Sequence, residues 1–167
     1  MKPNNKKPNN KKPNYIKPNY IVIPLVAFLV ALLGSWFTSV GMDWYKMLSL
    51  PIWAPSGSSL GTVWAMIFIL STVSALIVWN RTPHDAHFGW IVFLFLLNAF
   101  LNVFWSYLFF NQHQIGGAAW EAEFLSFSAI VLLILVFPVS FRAFFLLAPY
   151  AFWAVFITYL TYIVGLP

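Results

Sequence analysis

From residue 20 onward the chain is built of long apolar runs separated by short polar interruptions. Five runs stand out, at about 20–40, 59–79, 88–110, 120–137 and 143–164. Each is close to the roughly 20 residues that carry a helix across about 30 Å of hydrocarbon. The interruptions hold the chain breakers and the charges: Asp43 to Ser59, Asn80 to His87, Asn111 to Ala119, and the tight Pro138-Val139-Ser140-Phe141-Arg142 stretch. Within lipid, a segment of this length satisfies its backbone polar groups only as a helix. The pattern therefore predicts an all-α integral membrane protein, a five-transmembrane-helix bundle. An odd number of spans argues against a simple two-fold repeat transporter.

Residues 2–21 differ in kind. They form a degenerate five-residue repeat, KPNNK, KPNNK, KPNYI, KPNYI. A proline every fifth residue prevents a continuous helix, and Lys and Asn bury no apolar surface. Residues 1–19 are thus expected to be a disordered Lys/Pro/Asn-rich tail, and 20–167 one membrane domain. A cleaved signal peptide is the alternative for the tail and first run, but the run from Ile21 to Val40 is long for an h-region and lacks a clear small-x-small cleavage site.

Composition strengthens the membrane reading. Only 8% of the 167 residues are charged and 61% are hydrophobic, whereas a soluble domain carries about 25% charged residues. The net charge of +5 does not point to nucleic acid, because six of the nine basic residues (Lys2, Lys6, Lys7, Lys11, Lys12 and Lys17) lie in the tail. With the N-terminus inside, the inner segments hold those six lysines, Arg81 and Arg142, and the outer segments hold Lys46 alone. That asymmetry predicts a cytoplasmic N-terminus and an outer Trp44–Pro55 loop. A bacterial inner membrane fits this arrangement. There is no cysteine, which excludes disulfides and thiolate chemistry.

The third run carries a polar stripe, Asn98, Asn102 and Ser106 at i, i+4 and i+8, with Trp105 and Phe109 beside it. Amides facing lipid would be left unpaired, so this face looks into the bundle, either as interhelical glue or as the polar handle of an aromatic cavity. On the second run Trp64, Phe68, Ser71 and Ala75 share a face; on the fifth, Pro149, Trp153 and Ile157 line up next to Tyr150. Trp153 falls near mid-membrane, where interfacial anchoring explains a tryptophan poorly.

The ionisable residues offer little chemistry. Glu121 and Glu123 stand at the outer start of the fourth run, where they are expected to be hydrated and to complement the helix dipole. Their i, i+2 spacing splays them apart. His84, Asp85 and His87 share an inner loop beside Pro83 without the spacing of a metal motif, and His113 is expected to be solvated in the outer loop. Gly57-x-x-x-Gly61 is read as serving the turn after Pro55. No nucleophile–base pair, phosphate-binding loop or metal motif lies in the spans. Any catalysis would come from aromatic side chains, the ligand or light.

Three motifs, taken in order, resemble the TspO/translocator protein family (tryptophan-rich sensory protein, peripheral-type benzodiazepine receptor). They are Trp44-Tyr45-x-x-Leu48-x-x-Pro51-x-Trp53-x-Pro55 followed by Trp64; Leu97-Asn98-x-x-x-Asn102-x-x-Trp105-Ser106-x-x-Phe109-Phe110; and Pro149-Tyr150-x-x-Trp153. The likeness runs from about residue 20 to the end and leaves out the tail. It implies a five-helix bundle, often homodimeric, with a cavity near one membrane face closed by the first loop. It also implies porphyrin or haem as ligand, with no cofactor required, and sterols and isoquinoline carboxamides in some members. Carried over by position, the ligand-binding residues are Tyr45, Pro55, Trp64, Phe68, Asn102, Trp105, Ser106 and Trp153.

Some bacterial members of that family degrade protoporphyrin IX in light, which would give Trp64 and Trp153 a catalytic role. A flat tetrapyrrole suits rigid aromatic walls, and Asn102 and Ser106 are expected to orient its carbonyl or carboxylate edge. Transport of porphyrin, sterol or lipidic ligands is the alternative, and a non-catalytic interaction protein is a third. Three departures from the family pattern stand out. Pro-Pro in the loop is Pro55-Ser56, a change expected to loosen the lid. The Leu-Asn pair of the last helix is Leu160-Thr161. Leu160 and Tyr162 lack the downstream Arg of a Leu-x-Tyr-x-Arg sterol motif.

Overall fold

A computed structural model describes residues 17–165; the tail as far as residue 16, together with Leu166 and Pro167, lies outside the described residues. Along the chain run α1 (Asn19–Val40), α2 (Met42–Met47), α3 (Gly57–Arg81), α4 (Ala86–Ser106), a π-helical turn (Tyr107–Asn111), α5 (Ile115–Val136) and α6 (Phe141–Val164). Five of these, α1, α3, α4 with its π turn, α5 and α6, are long and apolar enough to cross a membrane. This is the five-span helical protein expected from the apolar runs.

The helices begin earlier than the hydropathy suggests because polar residues cap them. Ser56 accepts from the Ser59 amide at 3.3 Å, Asp85 from Phe88 at 3.0 Å and Ser140 from Ala143 at 3.4 Å. Each side-chain oxygen satisfies an amide that has no partner within its own helix. Ser56, the departure from Pro-Pro, is thus the cap of α3, and Asp85 is a cap as well.

α5 and α6 make the most extensive helix pair. Small residues allow that close approach: Ala118, Ala122 and Ala129 on α5 and Ala143, Ala151 and Ala154 on α6 are all buried. Without a hydrophobic drive between helices in lipid, such packing and interhelical hydrogen bonds hold a bundle. Thr158 donates to the Ala122 carbonyl at 2.8 Å, and Ser74 on α3 donates to the Ala143 carbonyl of α6 at 2.8 Å. α1 is peripheral. It leans on α3, α4 and the π turn, and Asn19 is its one buried residue.

One expectation is corrected. α5 starts at Ile115, so Glu121 lies well inside it; the residue is 6% exposed and neither carboxylate oxygen has a partner among the described residues. Glu123, about 200° further round the helix, is exposed. His113 is exposed, as expected. It has a positive φ of 56° and its ring stacks on Trp44 at 4.3 Å.

Candidate functional site: a two-chambered cleft

The loose seating of α1 leaves a cleft between it and α3 and α4. The outer chamber, about 430 Å³, is lined by Gly34, Ser35 and Thr38 of α1, Trp64 and Phe68 of α3, and Asn102 and Ser106 of α4. An inner chamber of about 330 Å³ is lined almost wholly by apolar side chains, among them Val26, Phe95 and Leu147. Val30, Phe68 and Asn102 belong to both walls, so the chambers meet there. Their sizes fall in the range of about 300–1,000 Å³ typical of small-molecule sites.

At that junction the stripe on α4 forms a directed hydrogen-bond network. Asn98 donates Nδ2 to the Leu94 carbonyl at 2.8 Å, which leaves its Oδ1 to accept. Tyr150 of α6 donates its hydroxyl to Asn98 Oδ1 at 2.7 Å, and Asn102 Nδ2 donates to the Tyr150 oxygen at 2.8 Å and to the Asn98 carbonyl at 2.7 Å. A carbonyl partner fixes which end of each amide is the nitrogen. Asn102 Oδ1 remains buried and without a partner among the described residues. Ser106 donates to the Asn102 carbonyl at 3.1 Å. Both side chains have therefore committed their protons to the protein and offer lone pairs, so in this arrangement neither donates to a carbonyl or carboxylate edge. Both readings of the stripe apply: it joins α4 to α6 and it faces the cleft.

The aromatic residues divide between cleft, α2–α3 loop and core. Trp64 stacks on Phe68 with ring centroids 5.5 Å apart and meets Trp153 edge to face at 6.3 Å. Trp153 stands behind Trp64 and does not itself line either chamber. Trp105 is 2% exposed; it stacks on Phe109 at 5.2 Å and donates Nε1 to Thr161 at 3.3 Å. The threonine thus supplies a polar contact at the Leu160-Thr161 departure, and Trp105 is a core residue.

Tyr45 of α2 packs on Phe110 at 5.8 Å and donates its hydroxyl to the Pro55 carbonyl at 3.0 Å. That bond ties the start of the α2–α3 loop to its end. Burial pushes the Tyr45 phenol above its ordinary pKa, since ionisation would put a charge in a poorly solvated place. Beneath, Gly41 lies so close to the π turn that a Cβ would overlap the Phe110 carbonyl.

A model of the TspO/MBR family matches residues 9–166. The chain belongs to the TspO/MBR family. It is a multi-pass integral membrane protein of that family. It is 36% identical to "Uncharacterized membrane protein YtaB" of Bacillus subtilis over 75% of this chain and 81% of that one. It is 32% identical to "Tryptophan-rich protein TspO" of Bacillus cereus over 74% and 79%, and 30% identical to the human "Translocator protein" over 74% of each.

Of the positions carried over from the TspO/MBR pattern, Trp64, Phe68, Asn102 and Ser106 come together on the cleft. Tyr45 and Pro55 meet in the α2–α3 loop and line neither chamber, Trp153 backs Trp64, and Trp105 lies in the core. The α1 wall was missed. Its signal is a stripe of small residues, Ala27, Ala31, Gly34 and Thr38, at helical spacing. Tyr150, seen only as a neighbour of Trp153, is the residue that orders the amides.

Proposed function

We propose that the cleft binds a flat aromatic ligand of the tetrapyrrole class, porphyrin or haem, in a sensory or regulatory role. The observation that carries this reading is the Trp64–Phe68 stack forming one wall of a chamber that contains no charged side chain. Rigid rings hold a π system with little side-chain entropy to lose. Asn102 and Ser106, being acceptors, suit ring N–H groups better than carboxylates, so the acidic edge of a porphyrin belongs at the watery mouth. Light-dependent loss of protoporphyrin IX through Trp64 and Trp153 belongs to the same reading.

Saturable quenching of tryptophan fluorescence by protoporphyrin IX, with the protein in nanodiscs, tests it. Gly61 lines the outer chamber with nothing within 4 Å of a Cβ added there. Gly61→Phe therefore starts from an open Cβ position on the chamber wall and occupies part of the chamber, and should weaken binding at least about tenfold, or about 1.4 kcal/mol. Quenching that never saturates, or that is unmoved by Gly61→Phe, removes this reading. Absorbance of the bound porphyrin under illumination then separates an enzyme from a binder.

Transport is the second reading, favoured by the meeting of the two chambers at Val30, Phe68 and Asn102. Flux of labelled porphyrin into proteoliposomes tests it. The proposal further takes the N-terminus as cytoplasmic in a bacterial inner membrane. In support, Lys17, Arg81 and Arg142 lie at the ends of α1, α3 and α6 opposite the Lys46 loop. It also takes the protein as a homodimer, to be checked by mass in nanodiscs.

A further inference from the structure

The aromatic contacts do not stop at the cleft. Trp64, on the outer chamber, meets Trp153 with centroids 6.3 Å apart. Trp153 stacks on Phe156 at 4.9 Å, and Phe156 meets Trp53 of the outer loop at 5.9 Å. Trp53 in turn stacks on Tyr159 at 5.6 Å with 17° between the planes. The far end is open, with Trp53 44% and Tyr159 56% exposed. A continuous run of ring contacts joins the cleft to the protein surface, and every member except Phe156 is readily oxidised.

Trp153 supplies an independent observation. Its indole Nε1 is buried and has no hydrogen-bond partner among the described residues. An oxidised indole that finds an acceptor gives up this proton and is trapped as a neutral radical. Without an acceptor the proton stays, and the ring remains a strong enough oxidant to take an electron from the next ring. Tyr159 is the opposite case: it lies within two turns of the end of α6 and stacks on Trp53 of the α2–α3 loop, so at the membrane interface its exposed phenol would release its proton to water as it is oxidised. The two environments give the chain an outward direction.

We propose that Trp64, Trp153, Trp53 and Tyr159, bridged by Phe156, form a hole-transfer chain that carries oxidising equivalents out of the ligand cleft. A one-electron oxidant in the outer chamber, such as a light-excited aromatic ligand, takes an electron from Trp64. Trp64 is refilled from Trp153, Trp153 from Trp53 across Phe156, and Trp53 from Tyr159. One electron has then passed from Tyr159 to the oxidant, and one proton from its phenol to water. A water-soluble reductant of the ascorbate class restores the tyrosyl radical with one electron and one proton. The chain spares the indoles of the cleft from irreversible oxidation. It rests on the proposed ligand reading for the source of its oxidant only.

Tyr159→Phe and Trp53→Phe test the chain at exposed positions that leave the core untouched. Full-length protein in nanodiscs is illuminated with protoporphyrin IX, and electron paramagnetic resonance and peptide mass spectrometry are read together. The wild type should show a tyrosyl signal, and ascorbate should lower oxidation of Trp64 and Trp153. Each variant should lose most of that signal, show several-fold more oxidation at Trp64 and Trp153, and gain little from ascorbate. Signals and damage equal to wild type in both variants would overturn the proposal.

A second arm needs no ligand. Azidyl radicals from pulse radiolysis oxidise tryptophan, and the first-order conversion of tryptophan radical into tyrosyl radical should vanish in Tyr159→Phe. If that phase is unchanged in the variant, the chain is wrong even where porphyrin binds. If the phase behaves as expected but porphyrin never binds, only the ligand reading fails.

Discussion

The Tyr150 hydroxyl stands between two amides, 2.7 Å from Asn98 Oδ1 and 2.8 Å from Asn102 Nδ2, and thereby couples α6 to α4 at the floor of the cleft. Removing it leaves a buried acceptor and a buried donor each short of a partner, at a cost of about 1–3 kcal/mol. Tyr150→Phe should lower the thermal midpoint in detergent accordingly. A midpoint equal to wild type would mean that the network contributes nothing net.

Gly41 is a steric requirement. A Cβ there would overlap the Phe110 carbonyl on the π turn, a backbone group that cannot swing aside. Gly41→Ala should destabilise by about 1–3 kcal/mol or more, in the manner of overpacking. Gly61→Ala, where a Cβ meets nothing within 4 Å, serves as the matched control and should be close to neutral in the same melt.

The Tyr45–Pro55 bond should hold the α2–α3 loop. Tyr45→Phe removes one hydrogen bond, about 0.5–1.5 kcal/mol, and should speed amide exchange across residues 48–56 with little effect on the five long helices. The pH dependence has a definite sign. Because burial raises the folded-state pKa of Tyr45 above 10.0, its contribution is complete below that value and is lost as pH rises towards the folded pKa. Loop exchange, corrected for intrinsic rate, should accelerate above about pH 10 in wild type and not in Tyr45→Phe.

Glu121 should tolerate replacement by a neutral amide. Neither carboxylate oxygen has a partner among the described residues at 6% exposure, and an unpaired buried charge is costly, so the fold gains nothing from an ionised side chain there. Glu121→Gln keeps the shape and should melt at or above the wild-type temperature at neutral pH. A clear drop would show that the carboxylate has an essential partner.

How much of this was legible along the chain follows from the physics of each feature. Five runs of about the length that spans a bilayer can be satisfied only as helices, so the bundle could be read without coordinates. The stripe Asn98, Asn102, Ser106 announced an inward polar face for the same reason, and Trp64 and Phe68 announced an aromatic one. Which atoms of those side chains stay free could not be read. That depends on Tyr150, 48 residues from Asn102 in sequence and 2.8 Å away in space.

The sequence by itself determined the solvent, the number of spans and the faces that must point inward, because lipid forbids unpaired backbone and amide groups. The tertiary structure alone decided the rest. Loose seating of α1 opens the cleft, and directed hydrogen bonds turn Asn102 and Ser106 into acceptors. An early start of α5 carries Glu121 inside, and packing of the outer loop on α6 brings Trp53 to Tyr159. These outcomes hang on contacts between residues far apart in the chain, which no local periodicity records.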